Sequence, residues 1–140
     1  MEGPLDDDCF AIRQAARYVS QIYARHLASV GLTITQFSLL ERLRRAGPMT
    51  MKQLAETMRM QRTTLVRTIQ PLRRNGFIAS ESLGSDARSL SISITADGEE
   101  RVVEGRKHWY AAQAEFEHRF GEQRAAALRG ELFAITRDPA

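Results

Sequence analysis

A single cysteine, Cys9, in 140 residues leaves no internal disulfide to form and no thiolate cage for zinc. The three histidines, at 26, 108 and 118, share no metal-ligand spacing, so no metal is expected. No apolar run approaches the ~18–20 residues that span a bilayer. The opening MEGPLDDDC is acidic where a secretory leader would be basic, and a cytoplasmic location with no membrane partner is expected. Also missing are a glycine-rich phosphate loop and a nucleophile elbow, while the carboxylates are scattered along helix surfaces. Neither an enzyme nor a cofactor is therefore expected. The nine glycines and four prolines occur singly, as punctuation. The remainder, 43% hydrophobic and 26% charged, has the mix of one globular domain spanning 1–140.

The net charge of +3 hides an uneven distribution. Residues 42–74 carry Arg42, Arg44, Arg45, Lys52, Arg59, Arg62, Arg67, Arg73 and Arg74 against Glu56 alone. This block of +8 lies between an acidic N-terminus and a C-terminal half with a net negative charge. Such a concentration is the electrostatic footprint of a polyanion partner, or else a solvated basic face.

Apolar periodicity separates the two readings. Ile12, Ala15, Ala16, Val19, Ile22, Tyr23 and Leu27 follow helical spacing from about Asp6 to Ser29, with Gly31 as the stop. Thr33-Ile34-Thr35-Gln36 and Thr50-Met51-Lys52-Gln53 are two capping boxes, each opening a helix; Gly47-Pro48 separates them. After a turn near Arg59-Met60, Leu65, Ile69 and Leu72 predict a fourth helix up to Asn75-Gly76, bent at Pro71 and weakly capped by Gln61. Residues 77–83 and 89–95 predict a hairpin around Gly84-Ser85-Asp86-Ala87. Val102, Trp109, Gln113, Phe116 and Phe120 mark a long helix. Gly121 interrupts it, and Ala125, Leu128, Leu132 and Ile135 mark a last one.

The expected fold is mainly α with a small β-hairpin wing: a winged helix-turn-helix over 33–95, flanked by helices at 1–32 and 96–140. In such a unit the N-terminal residues of the second helix meet base edges in the major groove. Here that end is Gln61-Arg62-Thr63-Thr64, with Arg67 one turn further. Gln and Arg make bidentate base contacts, and Thr bonds a base or a phosphate. Thr63 and Thr64 also suit a helix start, and Arg73 and Arg74 suit phosphates or plain solvent. Charge and architecture fall on the same residues, which points to double-stranded DNA as partner.

Leu54-Ala55-x-x-Met58, Arg62-Thr63-Thr64-Leu65-x-Arg67 and Leu72-x-x-x-Gly76-Phe77-Ile78 resemble the MarR family of bacterial transcription regulators. So does Asp86-Ala87-Arg88-Ser89-Leu90-Ser91-Ile92-Ser93-Ile94-Thr95-x-x-Gly98. The resemblance implies a minor-groove role for Arg88 and a homodimer built from the first and last two helices. It implies a regulator, here expected to be a repressor on a pseudo-palindromic operator, released by a small-molecule effector. Tyr23, Phe37 and Trp109 belong to the core, to the dimer interface or to a ligand pocket. Cys9-Phe10-Ala11-Ile12 resembles the start of the hydroperoxide sensors within the family, which leaves two readings open: an inert thiol, or a redox site for a peroxide-responsive regulator. A winged-helix protein-interaction module is the third alternative, and acidic or apolar residues at 61–67 would favour it.

Overall fold

Thr33 accepts a hydrogen bond from the Gln36 N–H at 3.1 Å, and the Thr33 N–H in return donates to the Gln36 Oε1 at 3.0 Å. Thr50 and Gln53 repeat the arrangement at the same two distances. These two reciprocal caps fix the starts of α2 (Ile34–Ala46) and α3 (Met51–Met58) where the sequence placed them. The computed structural model describes residues 3–82 and 90–137. Before these caps, α1 (Asp8–Leu27) begins behind Asp7, whose carboxylate accepts from the Phe10 N–H at 3.0 Å. A 3-10 turn, Ala28–Val30, follows α1, and Gly31 closes it at φ 70°.

After α3 come α4 (Arg62–Arg74), β2 (Ile78–Ser82), β3 (Leu90–Ile94), α5 (Ala96–Phe120) and α6 (Glu122–Arg137). The helix α4 continues through Pro71, and the Asn75 N–H bonds the Pro71 carbonyl at 3.0 Å. Gly121, at φ 105°, separates α5 from α6. The predicted hairpin strands are present, while its tip, residues 83–89, lies outside the described residues. One strand escaped the sequence: β1 (Met49–Thr50) joins the hairpin in the antiparallel order β1-β3-β2, pairing Met49 with Ile92 and Thr50 with Ser91. Two residues between Pro48 and the first turn of α3, the second of them the helix cap itself, show no alternation to read.

Two compact units result, one of residues 27–107 and one of residues 1–26 with 108–140. The first has a continuous apolar core. Leu39, Leu40, Leu43, Leu54, Leu65, Ile69, Leu72 and Ile92 are all 2% exposed or less. The second buries Ile22, Ala112 and Ala125. The apolar stripe of α1 is covered only from Val19 onward, because Ile12, Ala15 and Ala16 are exposed. On α6, Ala125 is buried while Leu128, Leu132 and Ile135 are exposed. No helix among the described residues is long and apolar enough to cross a membrane.

Candidate nucleic-acid interface

Arg59 sets the angle between α3 and α4. It adopts the left-handed conformation, φ 53° and ψ 45°, and its N–H closes α3 by bonding the Ala55 and Glu56 carbonyls. For a non-glycine residue that conformation costs about 1 kcal/mol, offset here by the bonds that end the helix. The Met60 N–H reaches the Ala55 carbonyl at 3.0 Å, completing the turn. Leu65, Ile69 and Leu72 then face the core. Gln61, Arg62, Thr63, Thr64, Arg67, Arg73 and Arg74 are all exposed, as are Val66 and Gln70, which the sequence reading did not single out.

Local helix rules are broken at the start of α4. Gln61 has the extended backbone of an N-cap but makes no side-chain cap bond. The first turn holds no acidic residue and begins with Arg62. Unsatisfied N–H groups and the positive end of a helix dipole favour anions, and an arginine there opposes the dipole. Among the described residues, no ion pair or side-chain hydrogen bond engages Arg62 or Arg67.

The other cations of the basic block are not equivalent. Glu41 Oε1 accepts from Arg44 at 2.7 Å, Arg45 at 2.8 Å and Arg106 at 2.7 Å, so part of the block is bound to a carboxylate. Arg42 donates to the Ser38 hydroxyl at 2.6 Å. Arg73 donates to the Ser80 hydroxyl at 2.7 Å and ties α4 to β2. On α4, Arg62, Arg67 and Arg74 remain exposed with no such partner among the described residues. The Arg44 and Arg45 pairs are three and four positions long, but Glu41 stands one residue before the block and so falls outside a count over 42–74; only the Arg106 pair, across 65 positions, is illegible in the sequence.

Below the hairpin, Thr95 joins three elements. Its N–H bonds the Phe77 carbonyl at 3.0 Å, its hydroxyl donates to the Gly76 carbonyl, and its Oγ1 accepts from the Gly98 N–H at 3.1 Å. Arg88, expected at the wing tip, lies outside the described residues, as does Asp86.

The three candidate pocket aromatics are divided between the units. Tyr23 and Trp109 meet edge to face at 4.6 Å between centroids, in the unit of residues 1–26 and 108–140. They line an open groove of about 590 Å³ with Val19, Phe116, Leu132 and the loosely paired Glu117 and Arg129, 3.8 Å apart. Burial, aided by Glu117, raises the Tyr23 phenol above its usual range, which keeps it a neutral donor. Phe37 instead is 4% exposed in the core of the other unit, where its ring leaves no room for a Cβ at Gly105. Cys9 is exposed beside Leu5, Phe10, Arg13, Gln14 and Arg17. Tyr23 lies fourteen residues further along α1, roughly 21 Å away at the helical rise.

Glu115 was also invisible to the sequence reading. It accepts both Arg25 guanidinium nitrogens at 3.0 Å and bonds His26 at 2.9 Å, with Arg119 at 3.0 Å. These bonds, Arg25 first, hold its carboxyl at about 2, below the ordinary 4.5. The folded pKa is depressed, so this clasp contributes fully above about 4.5 and is lost as pH falls toward 2. Glu115→Gln should flatten that part of the acid-unfolding curve. Helicity followed by circular dichroism from pH 5 to pH 2 checks it, and identical curves would assign acid unfolding to other groups.

The MarR family model matches residues 32–90. The uncharacterized HTH-type transcriptional regulator YwoH of Bacillus subtilis (strain 168) is 32% identical over 93 residues, covering 66% of this chain and 67% of that protein. The M. tuberculosis transcriptional regulator MosR, solved in complex with DNA, is 34% identical with a TM-score of 0.73, over 94% of this chain and 99% of its own. A probable transcriptional regulator from Pseudomonas aeruginosa superposes with a TM-score of 0.83 at 27% identity, over 93% and 97% of the two chains.

Proposed function

The chain belongs to the MarR family, and from that membership we propose that it is a sequence-specific double-stranded DNA-binding transcription regulator, not an enzyme. It acts in the cytoplasm as a homodimeric repressor and is released by a small ligand. The observation that carries this reading is the start of α4, where Arg62 and Arg67 stand exposed with no ion-pair partner among the described residues, while Leu65, Ile69 and Leu72 are buried. Gln61, Arg62, Thr63, Thr64 and Arg67 are assigned to base edges or nearby phosphates in the major groove. Arg73 and Arg74 are assigned to phosphates, and Arg88 to the flanking minor groove. The DNA complex of MosR, similar over almost the full chain, supports the same use of the fold.

The dimer is assigned to the unit of residues 1–26 and 108–140, whose exposed Phe10, Ile12, Leu132, Phe133 and Ile135 a monomer leaves in water. Sedimentation should give about twice 15.8 kDa at micromolar concentration, and a monomer would contradict the assignment. The groove beside Tyr23 and Trp109 is the candidate effector site, since it combines apolar walls with a few polar groups. Trp109 fluorescence reports its occupation.

Selection of bound duplexes from a random DNA pool tests the function directly. The affinity for the selected duplex should fall linearly on a log–log plot against salt, with a slope of ~0.9 for each phosphate neutralised. Recovery of no preferred duplex, or a slope near zero, would overturn the reading.

A further inference from the structure

Val66 is the one large apolar side chain exposed on α4, at 39%. The core does not need it, because Leu65, Ile69 and Leu72 already fill the inward face at 2% exposure or less. Nor does the helix favour it, since a β-branched residue restricts χ1 and lowers helix propensity on a solvated face. Its neighbours on the outward surface are all polar: Arg62 and Thr63 one turn before, Arg67 beside it, and Gln70 one turn after. An apolar, stiff side chain set among hydrogen-bonding ones suits a surface that is itself mostly polar with isolated apolar points. The major groove of DNA is such a surface, and the thymine C5-methyl is its apolar point.

We propose that Val66 is a specificity-determining residue that packs on a thymine C5-methyl group in each half-site. This rests on the DNA-binding reading above and adds to it the base feature read at one position. Arg62 and Arg67 offer donors to guanine O6 and N7, Gln70 offers a donor and an acceptor to adenine, and none of them distinguishes thymine from uracil. Val66 does so through contact area alone. Its single preferred rotamer means little side-chain freedom is lost on binding.

The test uses the selected operator with each thymine replaced in turn by deoxyuridine in both half-sites, which removes the methyl and keeps the base pairing. The parent protein should lose about fourfold in affinity per half-site at one position, the worth of one buried methyl group. Val66→Ala should bind the thymine and uracil operators equally at that position and retain the parent's melting temperature. A parent protein indifferent to every replacement would overturn the proposal while leaving DNA binding intact. So would a Val66→Ala protein as sensitive as the parent, which would give the methyl contact to another side chain such as Thr63. If no duplex is selected at all, it is the DNA-binding reading that fails.

Discussion

The double substitution Arg62→Ala/Arg67→Ala should weaken binding to the selected operator by about 30-fold to 10⁴-fold for each half-site, from ~1–3 kcal/mol for each arginine that reads a base or phosphate. The same protein should melt no lower than the parent. Neither arginine has an ion-pair partner among the described residues, so no internal contact is lost. Arg62 also stands at the positive end of α4, where a cation is unfavourable by roughly 0.3–1 kcal/mol. Removing it relieves that repulsion. Loss of binding without loss of stability marks residues placed for a partner at the expense of their own helix. Titration of single-base operator variants at one fixed salt concentration, beside a thermal melt, reads both quantities. If affinity and stability fall together, the arginines are structural; if neither falls, α4 is not the reading head.

The features legible in the sequence are those fixed within one turn of chain. Thr33 with Gln36 and Thr50 with Gln53 name their helices to the residue because a capping box is a contact three positions long. The weak cap expected at Gln61 is observed as an absent one. Gly31 closes the first helical segment in the left-handed conformation, as its place after the last apolar residue predicts. What escaped depends on partners far along the chain. β1 exists only because Ile92, some forty residues on, offers a strand edge. Arg106 reaches Glu41 from 65 positions away, onto the same oxygen that takes the neighbouring Arg44 and Arg45. The apolar stripe of α1 was read from its spacing, but spacing does not say what covers Ile12. Val66 is illegible for a different reason: an apolar residue on a polar face satisfies neither the core pattern nor the charge pattern.

Thr95-x-x-Gly98 shows both sides of that boundary. Its spacing stood out in the sequence, yet its reason is tertiary. A Cβ at Gly98 would lie 2.2 Å from the Phe77 carbonyl oxygen and 2.8 Å from Ile94 Cγ1. The first of these is backbone and cannot swing aside. That same carbonyl accepts the Thr95 N–H at 3.0 Å, and Thr95 in turn bonds Gly76 and caps the Gly98 N–H. One added methyl must therefore push the start of α5 away from the segment that links α4 to β2, and the three bonds of Thr95 open with it. Overpacking against fixed backbone costs about 3 kcal/mol, which lowers the melting temperature by roughly 10 °C in a domain of this size. Gly98→Ala is expected to show that drop, and Thr95→Val a smaller one of about 1–2 kcal/mol from the lost cap. Because the hairpin leaves from the same junction, Gly98→Ala should also weaken operator binding below the melting transition. A Gly98→Ala protein that melts with the parent would mean α5 can slide along its axis, and the junction would then not fix where the hairpin points.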